Sequence, residues 1–255
     1  MTNIFVTGGT SGIGRATVLR LAKDGAFVTF VGRNEQRGAE IELAAGSRAR
    51  FVPGDLRQPG VVELVVRAAL ESGPLDAAVN AAAEVGKEPA PLGEIDDERF
   101  EHAFVGGTRL DFMCMRAELV AALEADHPIS IVNVSSINGL GAAPRNPLYS
   151  AMKAAMLSLT KSIALDYGAR GIRANAVVAG AFDTPMLAEA WEKAAGGDAE
   201  RLEAMRRQFL AMVPAQRIGD PEDAAGTIAW LCSADSRYVN GASIIVDGGM
   251  TAYFR

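Results

Sequence analysis

The sequence predicts an α/β fold, a doubly wound, seven-stranded parallel sheet with helices on both faces. Three observations carry this. Short apolar runs alternate with longer helical patterns along the whole chain, as repeated strand–helix–strand units require. The first apolar run, Ile4-Phe5-Val6, passes directly into a glycine-rich loop and then into a helical pattern. No linker or shift of composition interrupts the 255 residues, so 1–255 reads as one domain.

The elements follow in order. After the first strand, the loop Thr7-Gly8-Gly9-Thr10-Ser11-Gly12-Ile13-Gly14 opens a helix that runs to Lys23 and ends at Asp24-Gly25. A second strand, Ala26 to Val31, leads to Gly32-Arg33-Asn34 and another helix. Arg50-Phe51-Val52 is the third strand, closed by Gly54-Asp55-Leu56, and a helix over about 59–71 stops at Gly73-Pro74. Asp76 to Val79 is the fourth strand, and 96–126 is a long helical pattern behind the acidic start Glu94-Ile95-Asp96-Asp97-Glu98. Ile129 to Val134 is the fifth strand. Asn146 and Pro147 then suit the N-cap and first turn of a helix to about Gly168. Ile172 to Val178 is the sixth strand. Residues 183–215 form a helical insertion broken at Gly196-Gly197. Asp220-Pro221 starts a last helix, and Ser243 to Val246 is the seventh strand.

Composition narrows the function. Apolar residues make up 49% and charged residues 22%, an ordinary balance for a packed soluble domain. A net charge of −6 with no basic tract argues against nucleic acid as a partner. No apolar run reaches a membrane span, and the N-terminus enters a strand with no signal peptide, so the expected location is cytoplasmic. Cys114 and Cys232 fall in helical patterns and read as small core residues. With only His102 and His127, no metal site is expected.

The glycine loop follows a strand and opens a helix, the context of a pyrophosphate cradle. Glycine allows the tight turn and a close phosphate approach, while the helix N-terminus supplies N–H groups and positive potential. The spacing Gly8-x-x-x-Gly12-x-Gly14 differs from the G-x-G-x-x-G fingerprint.

A second constellation lies between Ser136 and Lys153. Ser136 ends the fifth strand, and Tyr149 and Lys153, four residues apart, share one face of the helix after it. Free tyrosine ionises near pH ~10, too high for efficient acid–base work near neutrality. An ammonium about 4 Å away, at an effective dielectric of about 20, favours the phenolate by about 4 kcal/mol. Lys153 can therefore tune Tyr149, and the Ser136 hydroxyl can bind the oxygen that exchanges the proton.

Taken together, these motifs resemble the short-chain dehydrogenase/reductase family over the whole chain. Gly8, Thr10, Ser11, Gly12, Ile13 and Gly14 look like its dinucleotide loop. Asp55-Leu56 looks like its adenine contact, and Asn80-Ala81-Ala82-Ala83 like a degraded Asn-Asn-Ala-Gly stretch. Ser136, Tyr149 and Lys153 match its catalytic positions. Asn175 to Gly180 matches the segment before the nicotinamide, with Ala179 in place of the usual proline, and Phe182 and Thr184 fall where the carboxamide is held. Val246-Asp247-Gly248-Gly249 matches its C-terminal signature. The resemblance implies a Rossmann-like fold and a homotetramer or homodimer that uses the Tyr149 helix and the last strand as interfaces. It departs at Gly107, where the family has an asparagine taken to hold a water linking the catalytic lysine to solvent.

The resulting expectation is an NADP(H)-dependent oxidoreductase, ketoreductase-like, acting on a carbonyl or secondary alcohol of a small or medium-sized molecule. NADP(H) is expected over NAD(H) because Gly32, not a carboxylate, ends the second strand and Arg33 follows, with Asn34 beside it. Asn138, Met186 and Leu187 are the candidate substrate contacts besides Ser136 and Tyr149. Glu84 is a weaker one, and Trp191, Met205, Phe209 and Met212 either line a pocket or pack as helix faces. The same scaffold also admits non-redox isomerisation or elimination with Tyr149 as base, or a nucleotide-binding protein with reduced catalysis.

Overall fold

The computed structural model describes residues 2–83 and 89–252. Its strands are β1 Asn3–Thr7, β2 Phe27–Gly32, β3 Ala49–Pro53, β4 Ala77–Asn80, β5 Ser130–Ser136, β6 Arg173–Ala179 and β7 Ser243–Val246. They form one sheet in the order β3-β2-β1-β4-β5-β6-β7, every pairing parallel. The order runs outward in both directions from β1 and β4, so the sheet is doubly wound. The crevice at their C-terminal ends is where such sheets take ligands.

Burial explains the strand pattern. Every residue of β1 is buried, as is every residue of β4, because helices cover both faces. On one face lie α1 Gly12–Lys23, α2 Glu35–Ala45 and α9 Pro221–Cys232, whose Val18, Leu21, Ile41, Ile228 and Leu231 pack on Ile4, Val6 and Phe30. On the other lie α3 Val61–Leu70, α5 Gly106–Glu124 and α6 Pro147–Tyr167, whose Val65, Leu110, Met115 and Ile163 pack on Phe5, Ala78 and Ile131.

The long pattern expected over 96–126 is not a uniform helix. A short α4, Asp97–Phe100, runs into a π-helical turn, Glu101–Val105, before α5 begins at Gly106. The irregularity sits at the Gly106-Gly107 pair, where two glycines weaken an α-helix by about 2 kcal/mol relative to alanine. Asp96 caps this helix, accepting from the Arg99 N–H at 2.8 Å, as the acidic start suggests. The insertion is two helices, α7 Pro185–Ala195 and α8 Ala199–Ala211. They are separated at Gly196 and Gly197, which have φ of 67° and 82°. Asn146 corrects one expectation: it occupies the N-cap of α6, but its side chain makes no capping bond. Its φ of −129° and ψ of 42° are not the extended geometry in which a side chain reaches the first turn. Pro147 does take the first turn.

Candidate active site

The parallel sheet carries the candidate residues to one edge. Gly8–Gly14 follow β1, Gly32 ends β2 with Arg33 and Asn34 after it, and Asp55 and Leu56 follow β3. Ala81 and Ala82 follow β4, Ser136 ends β5, and Gly180, Phe182 and Thr184 follow β6.

Ser136 and Lys153 are buried and Tyr149 is half-buried. The Lys153 Nζ donates to the Val134 carbonyl oxygen at 3.0 Å and stands 6.0 Å from the Tyr149 ring centre. Two further contacts fix this end of α6. Ser135 Oγ donates to the Lys153 carbonyl oxygen at 3.1 Å, and Gly139 lies flat against the lysine's backbone. A Cβ at Gly139 would come within 2.8 Å of the Lys153 carbonyl carbon, so only glycine permits this packing of the β5–α6 connection. Ser136 Oγ accepts from the Asn138 N–H at 3.2 Å, which leaves the serine's own hydrogen to donate elsewhere.

The glycine loop is shaped for a close approach. Gly8, at φ 67°, lies so near the chain after β4 that a Cβ would sit 2.7 Å from the Ala82 nitrogen. Thr7 Oγ1 accepts from the Ala81 and Ala82 N–H groups at 3.2 and 3.1 Å, tying the two loops together. Ser11 is the N-cap of α1 but makes no side-chain cap bond, and the first turn holds no acidic residue. The leading N–H groups of the helix therefore remain free for an anion. Gly12, at φ 49°, faces the Thr184 methyl, bringing the loop against the end of β6. This uncapped cradle, lined by glycine backbone, fits the pyrophosphate of a dinucleotide.

Other expected residues are already engaged. Thr184 Oγ1 caps α7, accepting from the Leu187 N–H at 3.3 Å, and Phe182 is buried against Gly219. Asn34 caps α2, accepting from the Arg37 N–H at 2.9 Å. Gly32 lies against the Thr10 side chain, where no Cβ fits, so an acidic residue has no room there. Arg57 bonds Asp55 at 2.6 Å and holds its carboxyl down to about 2. Asn80 turns into the core, where its amide donates to Glu118 Oε2 at 2.9 Å and Asn133 Oδ1 at 3.0 Å. Met186 is exposed and Leu187 half-buried. Trp191 and Phe209 pack edge to face at 5.6 Å, helix against helix. Glu84 lies outside the described residues.

Sequence reasoning missed four residues. Arg15 and Arg37 line a cleft with Thr10, Ser11 and Gly12, adding positive charge beside the loop where only Arg33 was expected. Their signal was positional, since both point outward from the first turns of helices that follow the expected cofactor segments. Asp111 and Glu118 are buried acids on the inner face of α5. Burial pushes the Asp111 carboxyl up to about 6, against the opposing charge of Lys153. Burial pushes Glu118 up to about 8, against the Asn80 hydrogen bond. An apolar helix face hid them, because nothing local distinguishes a buried acid from an exposed one.

Comparison with known proteins identifies the family and supports the fold. A family model described as enoyl-(acyl carrier protein) reductase matches residues 8–251. A 2,5-dichloro-2,5-cyclohexadiene-1,4-diol dehydrogenase of Sphingobium indicum is 36% identical over 250 residues, covering 98% of this chain and 96% of the relative. A cis-4-hydroxycyclohexanecarboxylate dehydrogenase of Sinomonas cyclohexanicum is 38% identical over 250 residues, covering 97% and 95%. The structure of an actinorhodin polyketide ketoreductase with NADPH superposes with a TM-score of 0.89 at 29% identity, covering 99% of this chain and 98% of that one. The chain belongs to the short-chain dehydrogenase/reductase family, a family of oxidoreductases that bind a nicotinamide cofactor. No helix among the described residues is long and apolar enough to cross a membrane.

Proposed function

We propose that this protein is an NADP(H)-dependent reductase or dehydrogenase of a carbonyl or secondary alcohol in a small or medium-sized molecule. The observation that carries the reading is a buried Lys153, 6.0 Å from the Tyr149 ring centre and anchored to Val134 of β5, the strand that Ser136 ends. Gly8 to Gly14 would hold the pyrophosphate, and Arg33 after β2 would meet an adenosine 2′-phosphate, with Arg15 and Arg37 lining the cleft beside the loop. When bound, the nicotinamide supplies or accepts a hydride.

The chain's own residues manage the proton. Tyr149 gives its phenolic proton to the substrate oxygen in reduction and takes it back in oxidation. Ser136, whose oxygen already accepts from Asn138, donates its hydrogen to the same oxygen. The Lys153 ammonium stands 6.0 Å from the ring centre, where its positive charge faces the phenol. Buried on α6 and tied to Val134, it loses little freedom in doing so.

Relatives named for alcohols on six-membered carbocycles and a ketoreductase carrying NADPH support the redox reading over isomerisation or elimination. The protein is further proposed to assemble as a homotetramer or homodimer. Leu165 on α6 is 85% exposed and Ile245 on the edge strand β7 is 47% exposed, and both suit burial against a second copy. A panel of cyclic and open-chain ketones with NADPH or NADH tests the activity. Consumption of NADPH in preference to NADH is expected, and turnover of no ketone or alcohol with either cofactor overturns the proposal.

A further inference from the structure

Lys153 is 2% exposed, and its ammonium has three N–H groups to satisfy. The Val134 carbonyl takes one at 3.0 Å, and the Met156 sulfur at 3.9 Å is a weak second partner. On the facing helix α5, Asp111 is 4% exposed, and its Oδ2 has no hydrogen-bond partner. A buried carboxylate oxygen without a partner and a buried ammonium with too few are each costly alone. One turn before Asp111, on the same face of α5, Gly107 offers no side chain toward this space.

We propose that Asp111 is a positioning residue for Lys153, its carboxylate serving as the buried counter-charge that keeps the ammonium oriented beneath Tyr149. The inference rests on the proposed role of Lys153 in proton transfer. No ion pair within 4.0 Å joins the two, so the link is through a bridging water, for which both groups have hydrogen-bonding capacity to spare.

The surroundings make this pairing sensitive to pH. The Lys153 charge holds the Asp111 carboxyl lower than burial alone would set it, at about 6. Its other titratable neighbours are on α5 itself. The Cys114 thiol is pushed well above its usual value by burial, and Glu118 keeps its proton up to about 8. Both are therefore neutral near pH ~6. From α3, Glu63 bears on Cys114, while β4 and β5 present the uncharged Asn80 and Asn133. Asp111 is then the group that ionises near pH ~6 in this seam. Protonation below that value removes the counter-charge, so the rate falls on the acid side.

The test reads the carboxyl directly, in protein without cofactor, by carbon-13 NMR of labelled aspartate across pH. One buried resonance titrating near ~6 is expected. It should vanish in Asp111→Asn, and its midpoint should rise by about one unit or more in Lys153→Met. A midpoint unmoved by Lys153→Met overturns the pairing, whatever the activity. A midpoint that moves while no ketone or alcohol is turned over leaves the pairing standing and overturns the proposed function. In the active enzyme, Asp111→Asn should remove the acid limb of the rate profile and lower the plateau by about tenfold or more, whereas a merely structural aspartate would leave the limb in place. An Asp111→Asn profile that keeps the limb contradicts the proposal.

Discussion

Glu118 offers a quantitative check on the interior of this sheet. Its side chain is fully buried on α5, with Oε2 accepting from Asn80 at 2.9 Å and Oε1 lacking a partner. Burial lifts its carboxyl from the ordinary 4.5 to about 8. A carboxyl raised in the folded state binds its proton more tightly there than in the unfolded chain. Its contribution is therefore complete below about pH 4.5 and is lost as pH rises through about 8. Integrated from about pH 5 to about pH 8, that loss is about 3 kcal/mol at 1.36 kcal/mol per unit. Glu118→Gln stays neutral and keeps an oxygen for Asn80, so its stability should lack this slope. Urea titrations of both proteins across pH, at one protein concentration, read the difference. Asp111, Cys114 and Cys232 titrate in both proteins and cancel. Parallel stability curves for wild type and Glu118→Gln would refute the assignment of a neutral, buried Glu118.

Three further outcomes are expected. Arg33→Ala should weaken NADPH binding by about 10- to 150-fold and NADH binding little, since a charge-assisted hydrogen bond contributes about 1.5–3 kcal/mol; equal losses in fluorescence titrations with the two cofactors would remove Arg33 from phosphate recognition. Gly107→Asn should leave the steady-state rate within about tenfold, whereas Gly107→Leu fills the space beside the π-helical turn and should lower it sharply; wild-type turnover by the leucine variant would make Gly107 a packing residue only. Light scattering at micromolar concentration should report a tetramer or dimer, and Leu165→Glu on the exposed face of α6 should dissociate it, an expectation that a monomeric wild type contradicts.

The architecture was legible because its signals are local and repeated. The strands are short apolar runs closed by turns, and at the centre of the sheet, in β1 and β4, both faces are covered, so pattern and burial agree there. The candidate site's geometry was legible where spacing is fixed, as for Tyr149 and Lys153 on one turn of α6, or where backbone needs glycine, as at Gly8 and Gly12. What escaped the sequence depends on packing between distant segments. Asp111 and Glu118 sit on the same helix as the exposed Phe112 and Val120, and only the position of α5 against β4, β5 and α6 decides which face is inside. Arg37 is carried to the glycine loop by the packing of α2, not by proximity in sequence. Asn80 looked like a ligand-facing residue at a strand end, yet its amide satisfies Glu118 and Asn133 in the core.

The central claim is that Tyr149 moves the substrate proton in a nicotinamide-dependent reaction. Its most direct test follows nicotinamide absorbance with NADPH and the ketone that wild type turns over best, comparing wild type with Tyr149→Phe. Binding of NADPH to each is measured separately by fluorescence. Removing a general acid typically lowers the rate by a factor of about 10² to 10⁴. The predicted result is a loss of that size with NADPH affinity nearly unchanged. Turnover by Tyr149→Phe within about tenfold of wild type would contradict the account.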